Sequence, residues 1–249
     1  MHLKNRYSPR AFRLLALLYL GTPASSFAQA IDTNRPGFSF SPNVVPVGQW
    51  QLETGIAWDR PDSDTDIVSL PLAELRYGMA DGFELFVSSV SWSDTDTATG
   101  SANGLLDVVV GTKLSLGDNG GTTTMAVLFQ VSVPTGSSDF TSDRWDPSAA
   151  FIWSYAGKIP LAGTVKVSRF ADGVQLDNGL KLPFAIGADQ SAFVEWEANL
   201  PEGGGSTHWL NGGYQFLLTE DLQWDLNAGI GLNSRAGDYR LGLGLSMRF

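Results

Sequence analysis

Cysteine is absent from all 249 residues. No disulfide can staple the fold and no thiolate can hold a metal or attack a substrate, so stability must come from pairing and packing. Histidine is almost missing: there are two, and only His208 lies outside the first thirty residues. That excludes a multi-histidine metal centre, and no Cys/His ligand spacing or Gly-rich phosphate loop occurs, so no cofactor is expected. Bases are scarce. Lys and Arg number 16 against 26 Asp and Glu, for a formal net charge of −10. Phosphate neutralisation needs Lys and Arg, which excludes nucleic acid as a partner. Also lacking is any apolar run of about 20 residues, the length a helix needs to cross a hydrocarbon core of about 30 Å.

What the chain does have begins with a leader. Lys4, Arg6, Arg10 and Arg13 form a basic region, Leu14 to Leu20 a short apolar run, and Ala28-Gln29-Ala30 a small-residue cleavage site. Residues 1–30 therefore read as a cleaved secretory signal peptide, with the mature chain starting at Ile31. Removing them takes four bases and no acid, which moves the charge from −10 to −14.

Apolar residues in the mature chain recur at period 2. The last twelve residues show it most clearly: Tyr239, Leu241, Leu243, Leu245, Met247 and Phe249 share one face. Asp238, Arg240, Gly242, Gly244, Ser246 and Arg248 share the other. In water such a strand would invite aggregation; in a closed barrel its apolar face meets lipid and its polar face the lumen. A terminal strand of this form, ending in Phe249 and carrying Tyr239, resembles the signal read by the bacterial outer-membrane assembly machinery. Similar alternation recurs at Gln49–Trp58, Leu106–Ser115, Met125–Val133 and Leu222–Asn233. Weaker runs lie at 67–77, 82–92, 148–156, 160–168, 176–187, 191–200 and 208–218. The expectation is an all-β, antiparallel transmembrane β-barrel of about 12 strands, of the outer-membrane type. Pro71 inside the second run predicts a bulge there.

Connection lengths support the same architecture. Short turns (79–82, 117–121, 156–158, 187–190, 219–221) alternate with longer polar stretches (59–66, 93–103, 134–147, 169–175, 201–207, 233–238). Outer-membrane barrels sort tight turns to the periplasmic side and long loops outside, whereas a soluble sandwich has no reason to. Trp50 and Trp58 lie eight residues apart on one face, about 26 Å at a rise of ~3.3 Å per residue, so each indole can sit at an interface of the apolar band. Residues 31–47 carry three prolines and little pattern. They read as an irregular amino-terminal segment, either a periplasmic lead-in or a plug, with Arg35, Pro36 and Phe38 as plug candidates. Residues 48–249 form the barrel.

The inner face collects charge of both signs: Glu53, Glu74, Arg76, Glu84, Asp107, Lys113, Glu195, Glu197, Asp225, Arg240 and Arg248. Lys166 and Lys181 join them. Two readings stay open: an ion-pair lattice that closes the lumen, or a conduit whose charges select solutes. Arg240 and Arg248 are expected in the same lattice as Glu53. No catalytic residue is expected; a rim hydrolase would rest on Ser206 and His208 alone, without a visible orienting acid or oxyanion site. Loop aspartates such as Asp62, Asp64, Asp94 and Asp96 lack a calcium-loop layout and read as solvated.

Several motifs together resemble the meta-pathway phenol-degradation family, sometimes described as outer-membrane transporters. They are Arg35-Pro36 with Phe38, Pro46-Val-Gly-Gln-Trp-Gln-Leu-Glu-Thr-Gly55, Leu75-Arg-Tyr-Gly78, Asp81 with Glu84-Leu85, Gly104 with Asp107 and Lys113, Pro134-Thr-Gly136, and the closing strand. The resemblance implies a transmembrane barrel passing small, often hydrophobic or aromatic, solutes, and it brings no catalytic residue. Glu53, Arg76, Glu84, Asp107 and Lys113 match its motif positions. The expected partners are outer-membrane lipid and lipopolysaccharide, the assembly machinery and a small-molecule solute, with the bacterial outer membrane as location.

Overall fold

The computed structural model describes residues 30–88, 91–118, 121–170 and 173–249. The signal-peptide expectation falls, except for Ala30, outside the described residues. The strands are β1 (Trp50–Asp62), β2 (Thr65–Ala80), β3 (Phe83–Ser88), β4 (Trp92–Thr97), β5 (Gly100–Leu105), β6 (Val108–Asp118) and β7 (Thr123–Val133). They continue with β8 (Asp146–Tyr155), β9 (Leu161–Phe170), β10 (Gly173–Ala185), β11 (Gln190–Pro201), β12 (Thr207–Thr219), β13 (Leu222–Gly231) and β14 (Tyr239–Arg248).

Apart from β3–β4 and β5–β6, sequential neighbours pair antiparallel; β2 also pairs with β4 and β3 with β6, and β1 pairs with both β2 and β14, which closes the sheet on itself. Closure leaves the sheet without an edge, the condition a spanning sheet must meet in lipid. Strands β3 and β4 are two halves of one barrel strand, because the register Glu74↔Ser88 continues without slip to Leu70↔Trp92. The same holds for β5 and β6: Phe83↔Leu114 and Trp92↔Leu105 lie on one register, and the Leu106 amide still donates to the Ser91 carbonyl at 2.9 Å. Counted this way the barrel is closed by 12 antiparallel strands.

Its packing is inverted relative to a water-soluble domain. Gln51, Glu53, Arg76, Glu84, Lys113, Glu195 and Asp225 are buried, while Leu241, Leu243, Leu245 and Met247 are exposed. That is the alternation a barrel needs when hydrocarbon surrounds it. Aromatics mark both ends of β1: Trp50 packs on Tyr77 at 4.5 Å between ring centroids, and Trp58 meets Tyr239 edge-on at 5.4 Å.

The long polar stretches are corrected in part. Strand β1 runs to Asp62 and pairs with Thr65, β4 and β5 pair as far as Thr97↔Gly100, and β9 pairs with β10 as far as Phe170↔Gly173. The stretches 59–66, 93–103 and 169–175 are therefore mostly extended hairpin, not loop. Beyond the apolar band both sheet faces are wet, so hydropathy stops alternating although the backbone ladder continues. A bulge does occur beside Pro71, where the β1–β2 register shifts between Gly55 and Ala57.

Candidate functional site

Residues 31–47 lie inside the barrel. The segment is tied at one end by the Ile31 amide, which donates to the Glu220 carbonyl at 2.7 Å, and at the other by a parallel bridge between Val47 and Gly78. Glu220 and Gly78 both sit at the rim of tight turns, which barrels of this type keep on the periplasmic side. The segment therefore enters and leaves by one rim and fills the lower lumen.

Having no ladder of its own, its backbone must find partners elsewhere. The wall provides them. Asn34 and Arg35 donate consecutive amides to the Glu53 carboxylate at 3.1 and 3.0 Å. Phe38 and Ser39 do the same to Glu195 at 2.8 and 2.7 Å. Two successive N–H groups converging on one carboxylate form a small anion-holding nest. The Phe40 amide reaches the Thr164 hydroxyl at 3.0 Å, and the Val45 amide reaches Glu84 at 2.8 Å. Wall cations take the carbonyls. Lys113 Nζ donates to Ser41 and Asn43, and Lys181 Nζ to Pro36 and Ser39.

These wall groups also hold one another. Arg76, with a fully buried side chain, pairs with Glu53 at 2.7 Å and Glu84 at 2.8 Å, and Lys113 approaches Glu84 at 3.4 Å. Glu74 lies 4.0 Å from Arg76 and accepts from the Asn34 amide group at 2.8 Å. Arg35 reaches Asp225, on the second strand along the wall from Glu53, at 3.2 Å. Buried charges persist only when paired and hydrogen-bonded, and each carboxylate here also binds segment backbone or side chain. Inner-wall glycines make the approach possible. A Cβ at Gly244 would strike Arg35 and one at Gly78 the carbonyls of Val45 and Pro46, so the room they leave is occupied by the segment. On the other side of the barrel, Phe40 and Val109 pack against an apolar cluster of Phe86, Leu128 and Ile152.

Above the segment the lumen opens into two cavities. One, of about 280 Å³, lies between Arg35–Phe38 and Asp59, Glu197, Asn211, Asn227 and Arg240. There Arg240 pairs with Glu197 at 2.7 Å and stacks over Trp209 at 4.1 Å. The other, of about 380 Å³, lies under the 134–145 connection, lined by Gln130, Ser148, Ser168, Phe140 and Phe170 among others.

Of the lumen charges expected from sequence, Glu53, Glu74, Arg76, Glu84 and Lys113 form one cluster, with Asp225 and Glu195 joined to it through the segment. Glu197 and Arg240 pair above it. Two stand elsewhere. Arg248 pairs with Asp221 at 2.6 Å in the tight turn between β12 and β13; a strand's last residues reach past the lumen to its rim. Asp107 accepts from the amides of Thr135, Gly136 and Ser142 at 2.8–3.0 Å and so fastens the 134–145 connection. Among the plug candidates, Arg35 and Phe38 face the wall as described, and the Pro36 carbonyl is taken by Lys181. Sequence reasoning passed over Gln51, Thr164, Asp177 and Gln223; inner-face parity marks all four, and neutrality hid Gln51, Thr164 and Gln223, whereas Asp177 is a charge that pairs with Lys166 and lay in one of the weaker alternating runs. Ser206 Oγ lies 3.1 Å from His208 Nε2, but the ring's other nitrogen meets no acid among the described residues.

An inverted, closed barrel with a polar lumen defines an outer-membrane barrel of channel- or porin-like fold. The chain belongs to the family described as "Putative MetA-pathway of phenol degradation", whose model matches residues 33–249. Among solved structures it is similar to an outer membrane channel from Pseudomonas putida F1, at 16% identity and a TM-score of 0.69, covering 86% of this chain and 99% of that one. It is also similar to the NanC porin (10% identity, TM-score 0.53, 80% and 98% covered). The KdgM porin, solved with disordered oligogalacturonate, aligns at 13% identity and TM-score 0.51 over 81% and 99%. At such identities the likeness concerns fold alone. No curated protein matches in sequence.

Proposed function

We propose that this protein resides in the bacterial outer membrane and passes small organic solutes, hydrophobic and aromatic ones included, through its lumen, with residues 31–47 as a plug across the periplasmic half. The observation that carries this is the way the plug is held. Wall carboxylates bind its amides and wall lysines its carbonyls, so its path is held through the main chain and can be released as one unit. Lipid and lipopolysaccharide surround the apolar outer face, and the closing strand from Tyr239 to Phe249 serves as the assembly signal. Removal of the signal peptide leaves Ile31 at the rim.

Planar-bilayer conductance with and without residues 31–47 tests the reading. The full chain should show small or rare openings, and the deleted chain a steady, larger conductance with faster solute entry into liposomes. The buried cluster around Arg76 favours the alternative of a sealed structural barrel. That reading takes over if the deleted, correctly folded barrel conducts no ion and admits no solute.

A further inference from the structure

We infer that the cavity between Arg35–Phe38 and Arg240 is a binding site for small organic ammonium ions, short-chain primary amines in their protonated form; this rests on the solute-passage reading and names the solute class. Its wall carries one acid too many. Arg35 is paired with Asp225 at 3.2 Å and Arg240 with Glu197 at 2.7 Å. Asp59, which lines the same cavity, has neither an ion pair nor a side-chain hydrogen bond among the described residues. Its cross-strand neighbour is Arg240, and that guanidinium is turned to Glu197 and over the Trp209 ring. A half-buried carboxylate without a partner is held ready for a cation.

The neutral groups beside Asp59 add acceptors. Asn211, 3% exposed, donates its Nδ2 to Glu195 and Glu197, which orients the amide; its Oδ1 faces away from both carboxylates and has no partner. Asn227 makes no side-chain hydrogen bond among the described residues. Glycines let both oxygens lean toward Asp59. A Cβ at Gly229, opposite Asn211, would strike Asn211 Oδ1, and one at Gly242, opposite Asn227, would strike Asn227 Oδ1. The two oxygens therefore lie over β13 and β14, with Asp59 next on β1: three acceptors on three adjacent strands, about 10 Å across. A primary ammonium brings one charge and three N–H donors, which is what this wall lacks.

Other classes fit less well. The Nε atoms of Arg35 and Arg240 also lack acceptors, but both guanidiniums are already balanced by carboxylates, and an arriving anion would add to the excess acid. A quaternary ammonium brings the charge without N–H donors and leaves the amide oxygens unpaired. At about 280 Å³ the cavity lies just below the usual range of small-molecule pockets. That limits the ligand to a few carbon atoms beside the ammonium, packed on Pro36, Phe38 and Ala57. The chain's net charge of −10 concentrates cations around the barrel before any of them is selected.

The test is binding, measured without flux. The folded mature chain in neutral-detergent micelles at neutral pH is titrated with butylammonium, butanol, butyrate, γ-aminobutyrate and tetramethylammonium by calorimetry and saturation-transfer NMR. Saturable butylammonium binding is expected, about tenfold weaker in Asp59→Asn, which keeps the shape and removes the charge. Asn227→Ala should weaken it severalfold; it leaves every ion pair in place and tests the site if Asp59→Asn assembles poorly. The other four probes should bind the unaltered chain at least about tenfold more weakly than butylammonium. Equal butylammonium binding in Asp59→Asn and the unaltered chain would overturn the proposal, or equal binding in Asn227→Ala where Asp59→Asn does not assemble. So would any of the other four probes binding as tightly as butylammonium. Conduction by the plug-deleted barrel without butylammonium binding to the full mature chain sinks this site alone. Binding without any conduction supports the site and sinks the passage reading.

Discussion

Arg76 and Ser168 both face the inside of one barrel, yet their surroundings are opposites. Around Arg76, in the lower lumen, Glu53 and Glu84 lie within 2.8 Å, and the plug's amides and carbonyls occupy the remaining donors and acceptors. Around Ser168, in the upper lumen, Lys166 pairs with Asp177 and Asp146 with Arg144, Gln130 and Ser148 have no protein partner among the described residues, and the space beside them is open. The same closed ladder supports both. In the lower half wall charge holds the segment, whereas in the upper half Lys166 pairs with Asp177 and Arg240 with Glu197 beside open space.

The strongest way to break this comparison is at Arg76. Arg76→Met leaves Glu53 and Glu84 buried without their shared cation and should cost about 3–5 kcal/mol, the range for breaking a buried pair by removing one partner. Reversible urea unfolding in lipid vesicles reads it. A loss below about 1 kcal/mol would mean that the lower cluster is hydrated and not closed. On the outer wall, Leu243→Arg places a guanidinium in the middle of β14's lipid face, with an expected cost of about 2–4 kcal/mol near the bilayer midplane. The same unfolding assay measures it, and a neutral result would remove Leu243 from the hydrocarbon.

Smaller effects separate plug from wall. Glu195→Gln weakens the acceptor of the Phe38 and Ser39 amides; hydrogen bonds to charged groups contribute about 1.5–3 kcal/mol each, so most of one such increment is expected to be lost. The plug should then open more often in single-channel records while the barrel stays assembled. Asp107→Ala frees the 134–145 connection from three amides and should raise its cleavage rate by protease severalfold, with the unfolding midpoint nearly unchanged. Smallest of all is Ser168→Ala, whose side chain holds nothing in the protein; a stability change within about 0.5 kcal/mol is expected in the same urea series. A large loss there would show that the Ser168 side chain is structural.

Much of the wall was legible in the residues. Period-2 alternation assigned Glu53, Arg76, Glu84, Lys113, Glu195, Asp225 and Arg240 to the inner face, because a strand's side chains must alternate and one face had to be apolar. Their partners were harder to read. That Glu195 would bind two consecutive amides near Phe38, 156 positions or more away along the chain, has no local signature, since backbone groups look alike in every residue. Asp107 shared the parity of the lumen charges but serves a connection, and Arg248 serves a turn; parity gives a side, not a height. The extended hairpins at 59–66 and 93–103 escaped for a different reason. Water on both faces removes the hydropathy contrast from which a strand is read.

The sequence by itself determined a barrel with an apolar outside, a charged inside, an aromatic-capped closing strand and an irregular segment ahead of the first strand. These follow from composition and period, which each strand carries locally. Only the tertiary structure decided that the irregular segment lies in the lower lumen, that wall carboxylates hold its main chain, and that Gln130, Ser148 and Ser168 stand level on three strands without partners. Those facts depend on register and on which strands meet across the lumen, and closing the sheet is what fixes both.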